Sequence, residues 1–179
     1  MKLTITILLI FFTQLFCLSQ DINRQDKKLI RKEIKSMVKM DQRYRSEIFS
    51  SSNPDSLWLL QNSLDSVVKI KFESIINQYG YPSRKRVNGS EVTVALILHM
   101  TTQKDFDYLK TLFKSELENG NMPPKEYAWW YDRCQKNINK PIFYGQYTNE
   151  KFCGEQLGTF NLRRKNIGLE ELEPDPSCE

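Results

Sequence analysis

Proline and glycine cut this chain into segments, and the apolar residues between the cuts recur at helical spacing. The cuts fall at Asn53-Pro54, Tyr79-Gly80-Tyr81-Pro82, Gly120, Pro123-Pro124, Asn139-Lys140-Pro141 and Gly168. Proline lacks the amide proton that a helix interior needs, and glycine accepts the left-handed conformation that closes a helix. Apolar positions three and four apart give each segment one buried face. The expectation is a mainly α fold. It is a single compact domain of five to six helices, with at most a short β-hairpin or extended segment over 142–147.

The first helix is expected from Asn23 to Ile48, on the stripe Ile30, Ile34, Met37, Val38 and Ile48. Continued, that stripe lands on Asp41 and then on Tyr44 and Arg45. Asp41 and Arg45 therefore fall on the side that otherwise packs inward, unless the helix end leaves the core and they form an exposed i,i+4 pair. Asn53 caps a second helix carrying Leu57, Leu60, Leu64, Val67, Val68 and Ile75. Ser83 to Gly89 reads as a basic loop, and Ser90 as the cap of a short helix running to His99. Thr102 and Asp105 have the spacing of a capping box, ahead of Phe106, Leu109, Leu112, Phe113 and Leu117. An aromatic helix follows from Lys125 to about Lys136. Asn161 reads as the cap of a last short helix, Leu162 to Asn166.

Residues 1–20 have the layout of a secretory signal peptide. Lys2 precedes an apolar run to Leu18, and polar residues follow. An uncleaved anchor is the alternative. A lipoprotein signal at Cys17 is disfavoured by the bulky Phe16. Residues 21–172 then form one helical domain and 173–179 an acidic tail, so the chain is expected to be exported, to a periplasm or to the medium. The formal net charge is +4. Leu169 to Glu179 carries five acids and no base, while Arg24 to Arg45 is dense in lysine and arginine. Such a run is a solvated helix face or a surface for an anionic partner. No recognition motif suggests nucleic acid, and a membrane is implied only if the leader is retained.

Cys134, Cys153 and Cys178 remain after cleavage. One disulfide fits an oxidising compartment, with Cys134–Cys153 the expected pair and Cys178 left over. A single histidine and no CxxC spacing argue against a structural zinc site, and no cofactor is implied.

His99 is the only histidine, and it ends the apolar run Val92–Met100. A ring on such a segment should be buried, and buried polar groups need partners. Asp41, Arg45, Asp132 and Arg133 lie where a helix face turns inward. In one reading His99 and Asp132 are catalytic. His99 is then a general acid or base, Asp132 or Asp41 orients it, and Arg45, Arg133 or Arg163 holds an anionic group. No GxSxG, HExxH, P-loop or dinucleotide turn supplies a nucleophile, metal or phosphate site, so hydrolysis is only a default class. In a second reading Asp41, Arg45, Arg133, Tyr144, Gln146 and Arg163 form a ligand- or partner-binding cluster, or ligand binds an aromatic cleft around Trp129, Trp130 and Tyr144. In a third the cluster only fixes how the helices pack. The reading carried forward is a binding domain for a small-molecule or protein ligand, with enzyme activity left open.

The chain also resembles an uncharacterised bacterial family catalogued as domain of unknown function 6624. The likeness rests on Met40-Asp41-Gln42-Arg43-Tyr44-Arg45, Ile75 to Pro82, Leu96-Ile97-Leu98-His99, Tyr127 to Arg133 through Tyr144-Gly145, and Arg163-Arg164 to Leu169. The resemblance implies one mostly α-helical domain and no particular activity. Family members tend to carry glutamine before the histidine where this chain has Leu98. They tend to read Tyr-Gly-Thr-Gln where it has Tyr144-Gly145-Gln146-Tyr147, and an acid often stands near Asn161.

Overall fold

The structure is a computed structural model, and it describes residues 22–89 and 93–178. The leader, Ser90 and Val92 lie outside those residues. The helices are α1 (Arg24–Asp41), α2 (Arg45–Ile48), α3 (Pro54–Tyr79), α4 (Arg84–Val87), α5 (Val94–Ile97), α6 (Gln103–Glu118), α7 (Pro124–Asn137) and α8 (Gly154–Lys165), with a final 3-10 turn, Pro176–Cys178. No strand occurs among the described residues; the fold is mainly α. No described helix is long and apolar enough to cross a membrane.

α1 lies along α3, α6 along α7, and the single turn of α5 touches α1, α3 and α7. The core runs through this crossing, from Ile30, Ile34 and Met37 on α1 to Phe106 and Phe113 on α6 and Trp130 on α7. Trp130 is fully buried, donates its indole N–H to the Met100 carbonyl at 2.8 Å, and stacks edge-on against Phe113. The expected cap at Thr102 is present. Its side chain accepts from the Asp105 amide at 3.2 Å and Asp105 accepts from the Thr102 amide at 3.0 Å.

Several boundaries differ from the sequence reading. The first helix stops at Asp41 and restarts at Arg45, because Gln61 of α3 satisfies the break. Its amide nitrogen donates to the Met40 and Asp41 carbonyls at 3.2 and 2.9 Å, and its oxygen accepts from the Tyr44 amide at 3.0 Å. α3 buries Gln61, Val68, Phe72, Ile75 and Ile76, and leaves Leu59, Leu60, Val67 and Ile70 exposed. Its apolar residues occupy two faces, and the position of α1 and α5 decides which one is covered. The basic loop contains α4, whose N-terminus Ser83 caps. The last helix starts at Gly154, not Leu162. Asn161 is inside it, and its amide group exchanges two hydrogen bonds with the Leu172 backbone at 3.0 and 2.8 Å.

The disulfide joins Cys153 to Cys178, with 5.7 Å between Cα atoms, not Cys134 to Cys153. Cys134 sits on the inward face of α7, fully buried, its thiol over the Met100 carbonyl. Cys153 stands at the surface just before α8, and the Asp175 amide bonds the Phe152 carbonyl at 3.3 Å, bringing Cys178 alongside. The acidic tail is therefore fastened to the domain.

Candidate functional site

Helices α1, α2, α3 and α5 meet around His99. α5 delivers it in a tight turn, its amide donating to the Leu96 carbonyl at 3.2 Å. α1 ends on Asp41 beside it, α2 starts with Arg45, and α3 supplies Asp65. Oδ1 of Asp41 lies 2.5 Å from Nε2 of His99 and 2.9 Å from Nη2 of Arg45. The same Nη2 donates to both oxygens of Asp65, at 3.2 and 3.0 Å. Gln61 donates to Oδ1 of Asp65 at 2.6 Å, and the Gln42 amide bonds the other oxygen of Asp41. Nδ1 of His99 is 3.9 Å from Oδ2 of Asp65, within ion-pair range and beyond a hydrogen bond. The Asp41 side chain is 5 % exposed, against 16 % for His99 and 18 % for Asp65. Asp41 is the floor of the group, and solvent reaches the ring and the second carboxylate.

Burial pushes the Asp41 carboxyl upward, but hydrogen bonds from His99, Arg45 and Gln42 outweigh it and hold the pKa at about 2. The carboxylate is thus charged at all but strongly acidic pH, and an ionised carboxylate only accepts. Nε2 must carry the proton between them, so Nδ1 of the neutral ring is an acceptor.

Asp41, Asp65 and His99 each offer a potential metal-ligand atom, all within 4.8 Å of one another. The Arg45 guanidinium lies between the two carboxylates, where a cation would sit. It already supplies the charge compensation that a metal would bring.

The residues expected to form one cluster form two. Asp132 is not a partner of His99. It is fully buried on α7, and its carboxylate accepts backbone amides of Phe143 and Tyr144 at 2.8 Å, Gln146 at 2.6 Å and Tyr147 at 3.4 Å. This explains why 142–147 is not a strand: its amides turn onto one carboxylate. Arg164 clamps the same loop from α8, donating to the Tyr144 carbonyl at 3.0 Å, the Gln146 side chain at 3.2 Å and the Glu170 carbonyl at 2.6 Å. Arg163 donates to the Phe143 carbonyl at 3.2 Å and stacks 4.2 Å from that ring's centroid. Arg133 makes no ion pair with Asp132 among the described residues. It donates to the Tyr147 hydroxyl at 2.5 Å, and its Nε is buried without a partner among the described residues. The expected cleft around Trp129, Trp130 and Tyr144 does not form, because Trp130 is core while Trp129 lines a separate cavity of about 630 Å³ with Gln146 and Tyr147.

Sequence reasoning missed Asp65, Gln61 and Arg164. Gln61 carried a signal: it shares a helical face with Val68, Phe72 and Ile75, so a buried amide was legible there. Asp65, one turn on from Gln61, then follows as its partner. No protein-family model, curated protein or solved structure matches this chain.

Proposed function

We propose that the chain is an exported helical domain that binds a polar ligand at the Asp41–Asp65–His99 group. The observation that carries this is the half-committed imidazole. Nε2 is held at 2.5 Å by Asp41, while Nδ1 has no hydrogen bond among the described residues in a ring 16 % exposed. Nδ1 is open to solvent and free to accept a hydrogen bond from a ligand. Arg45 is shared by two carboxylates, so a ligand bringing a hydroxyl or amine donor suits the site better than an anion. Export is supported by the Cys153–Cys178 bond, since disulfides persist in oxidising compartments. The leader-like residues 1–20 agree with it. The resemblance to domain of unknown function 6624 belongs to the same proposal and rests on its five segments.

Acid–base catalysis is the second reading, and the same tautomer favours it. An imidazole oriented by a carboxylate with its other nitrogen free is the arrangement of a general base. No hydroxyl or thiol bonds His99 among the described residues, so the group activated would be water or a ligand hydroxyl.

A thermal-shift screen of polyols, amino sugars and amines tests the binding reading. Compounds that raise the melting temperature of the wild type should leave His99→Gln and Asp65→Asn unmoved. If no compound separates the wild type from both variants, the reading fails.

A further inference from the structure

We propose a second ligand site, for a small aromatic carboxylate, in the cavity between the C-terminal end of α6, the start of α7 and the C-terminal end of α8. The cavity holds about 440 Å³, the size of a small-molecule pocket. Tyr127, Phe143 and Tyr144 supply its aromatic wall, Leu117 and Ile167 its aliphatic one, and Arg163 its charge. It shares no residue with the His99 group, so the two readings stand or fall separately.

The wall is preformed. Tyr127 meets Tyr144 edge-to-face at 6.0 Å, and Phe143 meets Tyr144 at 4.9 Å. The loop carrying Phe143 and Tyr144 is pinned by the Asp132 carboxylate and by Arg164. A ligand entering this cavity does not have to order it, and binding loses little entropy to loop closure.

The charge picks the ligand. Lys114 and Glu118 on the lining pair with one another. Arg163 has no carboxylate within ion-pair distance among the described residues. Its guanidinium has five N–H donors, and among the described residues it makes one bond, to the Phe143 carbonyl. Stacking on the Phe143 ring holds the guanidinium plane in place. One uncompensated cation beside an aromatic and aliphatic wall suits a monoanion with a flat apolar body. A carboxylate accepts two parallel guanidinium bonds, whereas a dianionic phosphate would leave one charge unmatched.

Calorimetry on the full chain with 2-naphthoate, its neutral isostere 2-naphthamide, and inorganic phosphate tests this. Naphthoate should bind about tenfold or more tightly than naphthamide, the difference a charge-assisted bidentate contact supplies. Phosphate should not displace it, and Arg163→Gln should bring naphthoate down to the affinity of the amide. The amide comparison uses the unaltered protein, so a misfolded variant does not decide the matter. Equal affinity for acid and amide, displacement by phosphate, or no naphthoate binding at millimolar concentration would each overturn the proposal.

Discussion

Nε2 of His99 lies 2.5 Å from Oδ1 of Asp41, a residue 58 positions earlier in the chain. The contact ties the turn after α5 to the last residue of α1, and the polar group is built around it.

Asp41 makes the protein acid-sensitive in a defined window. Its carboxyl has an ordinary value of 3.8 and is held at about 2 in the fold. A group whose pKa is depressed by folding stabilises above its unfolded pKa and loses that contribution as pH falls through the folded one. Stability should therefore drop between about pH 4 and pH 2, by about 2 kcal/mol for this group. Asp105, lowered by Lys69 and Thr102 against the effect of burial, shifts the same way. The difference between wild type and Asp41→Asn isolates Asp41. Urea unfolding at several pH values should show a shallower acid slope in the variant, and equal slopes would refute the assignment.

Asp132 should matter for the loop more than for any chemistry at His99. Asp132→Ala strands four amides and removes a negative charge that acts on Arg164, at a cost of about 3 kcal/mol. Hydrogen exchange should speed up at Phe143, Tyr144, Gln146 and Tyr147 while Asp41 and Arg45 keep their protection. Uniform loss of protection across the chain would contradict a local role.

Gln61→Leu removes the side chain that closes the gap between α1 and α2. The Met40 and Asp41 carbonyls and the Tyr44 amide lose their partner, and the expected loss is about 2 kcal/mol despite the gain in apolar volume. A variant as stable as wild type in denaturant would show that the amide is dispensable.

The three cysteines of the described domain should behave differently. Burial, with the nearby Asp105 charge, pushes the Cys134 thiol up to about 12. Native protein should leave it unlabelled by iodoacetamide, since the thiolate is the reactive form. Reduction should expose Cys153 and Cys178 to label and lower stability by about 3 kcal/mol, the usual effect of opening a loop of this size. Peptide mass mapping that finds Cys134 alkylated in folded protein would contradict the burial.

The helical class and the starts of α1, α3, α6 and α7 were legible because caps and breakers act locally. Thr102 with Asp105, Pro124 and Gly80 each state their role within a few residues. Asp41 was legible as inward-facing because it continues the stripe of Ile30, Ile34 and Met37. Which groups meet was not legible. Asp41 and Asp132 both lie on inward faces, and only the crossing of α1, α3 and α5 assigns the histidine to Asp41. Asp132 instead serves a loop whose own pattern of Phe143, Tyr144 and Tyr147 imitates a strand. Cysteine pairing failed for a related reason. The expected pair was Cys134 and Cys153, while helix phase put Cys134 in the core.

The most direct test uses the fact that this chain has one histidine, so its imidazole gives a single, unambiguous set of ring signals. Long-range proton–nitrogen NMR of the neutral imidazole reports which nitrogen bears the proton. The geometry requires Nε2–H, with a slowly exchanging, downfield proton that is lost in Asp41→Asn. A ring protonated on Nδ1, or one averaging rapidly between tautomers and unaffected by Asp41→Asn, would contradict the account.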